Sequence, residues 1–543
     1  MKVDSRPPDG RWAGALYRHR TGLAAAGIAS LTFFLYALTL APGLTWRNSA
    51  SDGGDLLTAA FTFGIPHPTG YPTYLLALRG FSTVMPFGSE ALHGNIFSAL
   101  TASAAVGLLF IATSRILRTL PIAERLNDRY ILIAAGVSSA SVAASRELWS
   151  QATVTEVYAL NALFVSAVLL AAIGLRERQS DRRRGVTYGL GVGLLSGIAL
   201  GNHLTIAALI VPLLIWGLLG GGARAIRPIH VIPIALGAVI GLAVYFYAPI
   251  ASSRAPELNW GHPDTVEGFW WMVSGTIYQG YAFGVGGSEL IDRLINSADL
   301  LLAQFAFFGL LLGIAGMSAI WAGLRTLLIA QIIAVAFLVA YAITYRTLDS
   351  FIYLIPAFML FSIWMAAGVV RMLAGIDGMR KALPALRTTR RGLIAGGLVL
   401  AVLAVVPGFS LATNYGRLDL SDDREAADYA EAAFDVLGPE PIIFARTEET
   451  VFSLWYQSYV AETEREVMPV SVPHIVFDWY WDDLTNQFPE RMPDTRPAGS
   501  SARTSAIIDH NLGIRPLYEA DAGRVLLPEF QLVEDGVLLR IEP

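Results

Sequence analysis

Eleven stretches of this 543-residue chain are apolar over roughly the length of a bilayer crossing. They fall near residues 22–41, 92–113, 129–145, 157–173, 187–201, 204–220, 229–250, 299–321, 326–344, 351–370 and 392–412. A helix satisfies all of its own backbone N–H and C=O groups, so each stretch is predicted to be a helix in hydrocarbon. Those near 15 residues must be short, broken or enclosed in the bundle. Only 15% of the residues are charged, whereas an ordinary soluble domain carries about 25%. With no cysteine in the chain, disulfides, thiolate zinc sites and thiol nucleophiles are excluded.

Charge divides the chain in two. Residues 414–543 hold 25 Asp/Glu against 10 Arg, while residues 1–413 hold 19 Asp/Glu against 29 Lys/Arg. This predicts a membrane domain over 1–413 and a separate acidic domain over 414–543. All but 6 of the Lys/Arg in the loops of the membrane part fall on one side if the N-terminal tail is cytoplasmic. By the positive-inside bias that sets the orientation. Eleven spans then put the C-terminal domain outside, in a cytoplasmic (inner) membrane. The Gly22–Ala41 segment has no small-residue cleavage site after it and reads as a retained span. In the C-terminal part, strand patterns at 441–445 and 467–472 alternate with helical ones at 422–437, 451–460 and 477–484. A small α/β domain is expected, closing on a hairpin over 524–541 that pivots at Glu534-Asp535-Gly536.

Two external loops are long, about 42–91 and 251–298, and both are rich in polar and aromatic residues. The first contains S-D-G-G-D-L-L-T-A-A-F-T-F-G-I-P-H-P-T-G-Y-P-T-Y over Ser51–Tyr74. Asp52 and Asp55, three apart, share a helical face if a helix begins at Ser51. At a water–lipid boundary one of them could act as a general base, or the pair could hold a divalent cation through oxygen ligands. They could equally do no more than cap the helix. His67 and Tyr71 lie in a loop stiffened by three prolines, with Gly70 free to take positive φ.

Further ionisable residues fall at the same ends of the spans. Arg146 and Glu156 flank a tight turn, either as a structural pair or facing a polar cavity. Asn202-His203 interrupts the apolar run 187–220. Arg254, Asn259 and Trp260 lie in R-A-P-E-L-N-W-G, and Arg346 and Asp349 precede the span 351–370. An arginine at headgroup level suits bidentate phosphate recognition, or it snorkels as an anchor. None of these groups lies at a midplane, a distribution that fits a surface active site fed laterally from the bilayer.

The ordered motifs D-G-G-D-L-L, H-P-T-G-Y-P, W-S-Q-A-T-V-T-E-V-Y-A-L-N, G-N-H and R-A-P-E-L-N-W-G resemble those of the transmembrane-protein-260-like protein O-mannosyltransferases and their bacterial relatives. The resemblance covers roughly residues 20–370 and implies a GT-C glycosyltransferase: a polytopic all-α membrane protein with a C-terminal extracytoplasmic α/β domain. It implies transfer of a sugar, mannose in the family, from a polyprenyl-phosphate donor to an acceptor hydroxyl of a protein, glycan or lipid. An acidic residue of the first external loop would be the base, with Asp55 placed ahead of Asp52. Donor phosphate and sugar would be met by His67, Tyr71, Arg146, Glu156, His203, Arg254, Asn259, Trp260, Arg346 and Asp349. No cofactor is implied with certainty, a divalent cation on Asp52 and Asp55 stays open, and no nucleic-acid partner is expected. Two departures stand out: D-G-G-D where the family usually has D-S-G-E, and H-P-T-G-Y-P where it has H-P-P-G-Y-P. Asp55 is one methylene shorter than glutamate, which alters its reach. The competing expectations are a transporter or flippase of a lipid-linked substrate, or a receptor scaffold whose acidic domain binds a partner.

Overall fold

A computed structural model describes residues 10–178, 181–220, 227–382, 390–521 and 530–543. The N-terminal tail and much of the basic loops at 221–228 and 371–391 lie outside the described residues, as does the start of the predicted 524–541 hairpin.

Helix α1 (Gly10–Thr39) leads into two short helices, α2 (Gly53–Thr62) and α3 (Pro72–Ser82), which make up most of the first long loop. Then come α4 (Glu90–Arg118), α5 (Asp128–Ala143), α6 (Arg146–Ala152), α7 (Val157–Arg178), α8 (Arg182–Leu200) and α9 (Ala207–Leu218). A third group follows: α10 (Pro228–Leu242), α11 (Tyr247–Ser252), α12 (Val266–Val273), α13 (Gly287–Thr344), α14 (Ile355–Ala382) and α15 (Arg390–Leu418). All eleven predicted apolar stretches are helical. Among the described residues six helical stretches are individually long and apolar enough to cross a bilayer, or seven if α5 and α6, bent by 63°, form one broken span. Part of the difference from eleven is that α9 is short and that the 58 residues of α13, counted once, hold both 299–321 and 326–344 on either side of a kink. Leu324 leaves helical geometry (φ -136°, ψ 46°). The chain bends there, so Gly316 packs on the Trp364 backbone while Gln331 accepts the Trp364 Nε1–H at 2.8 Å. α13 also starts earlier than predicted, at Gly287, which shortens the second long loop.

Small residues let the helices approach closely. A Cβ on Gly193 of α8 would stand 1.9 Å from the Ile234 carbonyl of α10, so this crossing requires glycine.

The C-terminal domain contains α16 (Glu425–Asp435), α17 (Glu448–Tyr456), α18 (Asp478–Gln487) and α19 (Ser500–Asn511) around strands β1 (Ile442–Ala445), β2 (Met468–Ser471), β3 (Leu517–Glu519), β4 (Gln531–Asp535) and β5 (Leu538–Glu542). The strand order is β2-β1-β3-β5-β4. β1 is parallel to β2 and β3, and β5 is antiparallel to β3 and β4. The predicted strands and helices are all present, and the β4–β5 turn has Gly536 at φ 62°. α19 and β3 went unpredicted.

The two parts are not beads on a string. Leu56, Leu57, Tyr74 and Trp260 of the long loops share one apolar core with Phe444, Phe452, Trp455 and Trp481 of the C-terminal domain. At 25 cal/mol or so per Å² of buried apolar surface, such a shared core fixes the domain over the loops.

Candidate active site

α2 begins at Gly53, which puts Asp52 at its N-cap and Asp55 in its first turn. The two carboxylates have different surroundings. Asp55 is fully buried. Its Oδ2 accepts the His67 backbone N–H at 3.0 Å and meets the His67 ring Nδ1 at 2.7 Å, while its Oδ1 accepts Trp260 Nε1–H at 3.0 Å. Both oxygens are committed to N–H donors. Asp52 makes no capping bond. Its side chain is 34% exposed, with Oδ2 at 3.5 Å from His67 Nε2. It stands at the open side of the site, with His67 between it and Asp55.

This arrangement sets the charges. Burial alone would favour a neutral imidazole, but Asp52 and the Asp55 hydrogen bond outweigh it and push the His67 pKa up to about 9. Burial raises the Asp52 pKa and the His67 charge draws it down, while Asp55, Asp349 and Glu449 act in the same direction as burial. Both groups therefore hold their protons more tightly than in water, and His67 is cationic at neutral pH.

Around His67 the aromatic rings are close. Tyr71, in left-handed conformation at φ 40°, meets it edge-on at 5.0 Å, and Tyr278 at 6.4 Å. Tyr71 in turn stacks on His203 at 6.0 Å. His203 bonds the Thr205 hydroxyl at 2.7 Å and packs against Tyr158 and Tyr353. Burial, and then the His67 charge, lower its pKa to about 4, so the ring is neutral. Glu156 is 2% exposed. Its Oε2 accepts the Val157 N–H at 3.3 Å, and Oε1 has no partner. Burial, followed by the charge of Asp52, lifts its pKa well above the carboxylate range, and a protonated Glu156 can donate a hydrogen bond.

The remaining predicted residues are more dispersed. Arg146 is exposed and reaches Glu147 at 3.7 Å; the Arg146–Glu156 pair that the sequence allowed does not form. Arg254 is exposed just past α11. Arg346 is exposed too, its backbone N–H bonding the Tyr281 carbonyl at 2.9 Å. Asp349, half-buried, contributes to the field at Asp52 and Glu156. Asn259 is buried and bridges to Ile65, with Oδ1 unpartnered. Trp260 is 2% exposed, behind Asp55 rather than on the open side. Sequence reasoning missed Arg293, buried in α13. It donates to the Tyr345 carbonyl at 2.6 Å and to Ser350 Oγ at 3.1 Å, and so holds the Arg346–Asp349 loop. It also missed Glu448, whose pKa burial and Asp52 raise to about 6. An arginine four residues after Glu289, interrupting an apolar helical pattern, was the available signal for Arg293.

A cation held by Asp52 and Asp55 together does not fit this geometry, because both Asp55 oxygens face N–H groups. No group of three or more His, Asp or Glu among the described residues is arranged for a metal.

The fold is that of the GT-C membrane proteins, and this is a multi-pass membrane protein. It is similar to ArnT from Cupriavidus metallidurans, both bound to undecaprenyl phosphate (TM-score 0.56, 13% identity, covering 96% of this chain and 97% of that one) and in the apo state (TM-score 0.54, 14% identity). Within that class the sequence likeness is to a narrower group. Residues 52–222 match the family described as the Protein O-mannosyl-transferase TMEM260 N-terminal domain. Mus musculus Protein O-mannosyl-transferase TMEM260 is 31% identical over 242 residues, 43% of this chain and 31% of the mouse protein. The Dictyostelium discoideum protein of that name is 22% identical over 531 residues, 89% of this chain and 62% of its own length. The chain thus spans about a third and about three fifths of these two relatives.

Proposed function

We propose that this protein is an inverting membrane glycosyltransferase that moves a hexose, mannose by the likeness to its relatives, from a polyprenyl-phosphate donor to an acceptor hydroxyl at the outer face. The observation that carries the reading is the unequal carboxylate pair: Asp55 is saturated by N–H donors, whereas Asp52 is open and recessed beside a cationic histidine. Asp52 is the base and Asp55 its support, which reverses the order drawn from the sequence. Asp52 removes the acceptor proton. The freed oxygen attacks the anomeric carbon from the face opposite the lipid phosphate, and the sugar–phosphate C–O bond breaks with its electron pair leaving on the phosphate. His67 and the exposed Arg346 and Arg254 supply positive charge for that phosphate. Arg146 is less suited, because Glu147 shares its charge. Tyr71, His203, Asn259, Asp349 and a protonated Glu156 are groups for the sugar or the acceptor. The similar ArnT structure is bound to undecaprenyl phosphate, and the relatives are named for O-mannosyl transfer; both support the donor and acceptor classes. Transfer of radiolabelled sugar from a polyprenyl-phosphate donor in nanodiscs tests it. The expected result is loss of transfer in Asp52→Asn protein that still folds. Full activity in that variant would sink the assignment.

A further inference from the structure

The C-terminal domain meets the catalytic network in several places, with α17 against α2 and Glu448 and Glu449 near Asp52, and its grip on one hydrogen-bonding side chain, Trp260, is the most direct. Trp260 donates its indole N–H to Asp55 at 3.0 Å, and that Asp55 orients the His67 ring beside Asp52. The other faces of the Trp260 indole are gripped by the C-terminal domain. His474 meets it edge-on at a centroid distance of 4.4 Å, Trp479 lies at 5.8 Å and 32°, and Trp455 and Phe452 pack at 6.3 and 6.4 Å. Aromatic pairs of this geometry hold orientation as well as area. The grip is itself built in: the His474 ring bonds Ser471 Oγ at the end of β2, and Trp479 stacks on Phe477 at 5.6 Å and 14°.

Two further contacts fix the domain to the same place. His262, two residues beyond Trp260, bonds Asp483 of α18 at 2.8 Å. α2, which carries both aspartates, lies against α17 so closely that a Cβ on Gly54 would stand 2.2 Å from the Phe452 carbonyl oxygen.

We infer that the C-terminal domain is a positioning element of the active site: its His474–Trp479–Trp455–Phe452 clamp sets Trp260, and Trp260 sets the Asp55–His67 pair against Asp52. None of the clamp residues touches the open side of Asp52. They act through Trp260, which bonds Asp55 and also meets the His67 ring edge-on at 6.3 Å. This rests on the reading of Asp52 as the base, and it makes removal or loosening of the domain a defect in the chemical step rather than in acceptor capture alone.

The test uses the full-length protein in nanodiscs. The variants are Trp260→Phe, which keeps a packed ring and removes the N–H, Trp479→Ala and His474→Ala, which open the clamp, and Trp479→Phe, which restores a stacking ring. Two readouts are taken. In sugar transfer, Trp260→Phe, Trp479→Ala and His474→Ala each lower kcat about tenfold or more with KM within about twofold, and Trp479→Phe recovers most of kcat. In histidine-selective NMR, with the His67 signal assigned among the 8 histidines by deletion, the titration midpoint moves by about half a pH unit or more in Trp260→Phe and in a clamp variant. Of the titratable groups that face His67, Asp52, Asp55, Glu156 and His203 stay unchanged in all four proteins, whereas His474→Ala also removes a titratable neighbour, so the clamp arm of this readout is judged on Trp479→Ala. If the wild type transfers no sugar, the enzyme reading fails and the NMR arm still decides this inference. A His67 midpoint that does not move in Trp260→Phe overturns the link to Asp55. One that moves there but not in folded Trp479→Ala overturns the role of the domain.

Discussion

Replacing each aspartate of α2 by asparagine separates the two roles most sharply. In Asp55→Asn the amide keeps one acceptor oxygen and replaces the other with an NH2 donor. If the amide nitrogen turns toward Trp260, the indole N–H loses its acceptor. If it turns toward His67, two donors now at 3.0 and 2.7 Å lose theirs. Each buried donor stranded in this way costs about 1–3 kcal/mol, so the favoured flip loses about 1–3 kcal/mol from one donor, plus the charge that supports the imidazolium. Asp52→Asn strands nothing comparable, since its nearest N–H donor is 3.5 Å away and a third of the side chain is open. The fold loses no bonded donor, only the charge that Asp52 sets beside the His67 cation, whereas the loss of a general base removes about 10²–10⁴ in rate. Thermal melting of both variants in nanodiscs and single-turnover transfer together give the pattern. Asp55→Asn melts lower and reacts slowly; Asp52→Asn loses less stability than Asp55→Asn and is essentially dead. A stable, inactive Asp55→Asn beside an active Asp52→Asn would refute the argument and return the base to Asp55.

The pH profile of kcat/KM should be bell-shaped. Activity rises as Asp52 ionises, at a pH higher than an ordinary aspartate because burial raises it, and falls as His67 loses its proton near about 9; His67→Gln removes the alkaline limb. The same histidine, with a folded pKa above its unfolded value, stabilises the fold fully below about pH 6.5, and that contribution disappears as pH climbs through about 9; melting curves across that window check the sign. Gly53→Ser should be tolerated, because its Cβ would meet nothing nearer than the Thr155 carbonyl at 3.4 Å, while Gly54→Ala should loosen the C-terminal domain and expose the α17 contact to proteolysis. Arg346→Ala should raise KM for the polyprenyl-phosphate donor more than Arg146→Ala does, since Arg146 already sits beside Glu147; equal effects would argue against a phosphate role for Arg346.

The helices were legible because apolar length is a property of one segment. Each of the eleven stretches is helical, and 299–321 and 326–344 are separate helical segments that meet at the kink at Leu324; what no local pattern announced is that the first of them starts back at Gly287. Asp52, Asp55 and His67 were legible as a group because they lie within sixteen residues and carry chemistry that a linker does not need. Their ranking was not. Which of two carboxylates is saturated depends on Trp260, more than two hundred residues away, and an indole N–H bonded to a buried oxygen looks in sequence like any interfacial tryptophan.

The D-G-G-D departure shows the same distinction from the other direction. Read alone, the shorter Asp55 seemed to leave a reach unfilled. In the fold, Asp55 reaches the His67 N–H, the His67 ring and Trp260 with normal distances, so the shorter side chain is matched by where the H-P-T-G-Y-P loop and Trp260 have been set. Both partners are supplied by other parts of the chain, and one of them is held by the C-terminal domain. A substitution in that domain can therefore change which carboxylate geometry the membrane part tolerates, and a chain that restored the glutamate at position 55 without moving the Trp260 clamp should lose activity, because the extra methylene would drive its carboxylate into the two donors now at 2.7 and 3.0 Å.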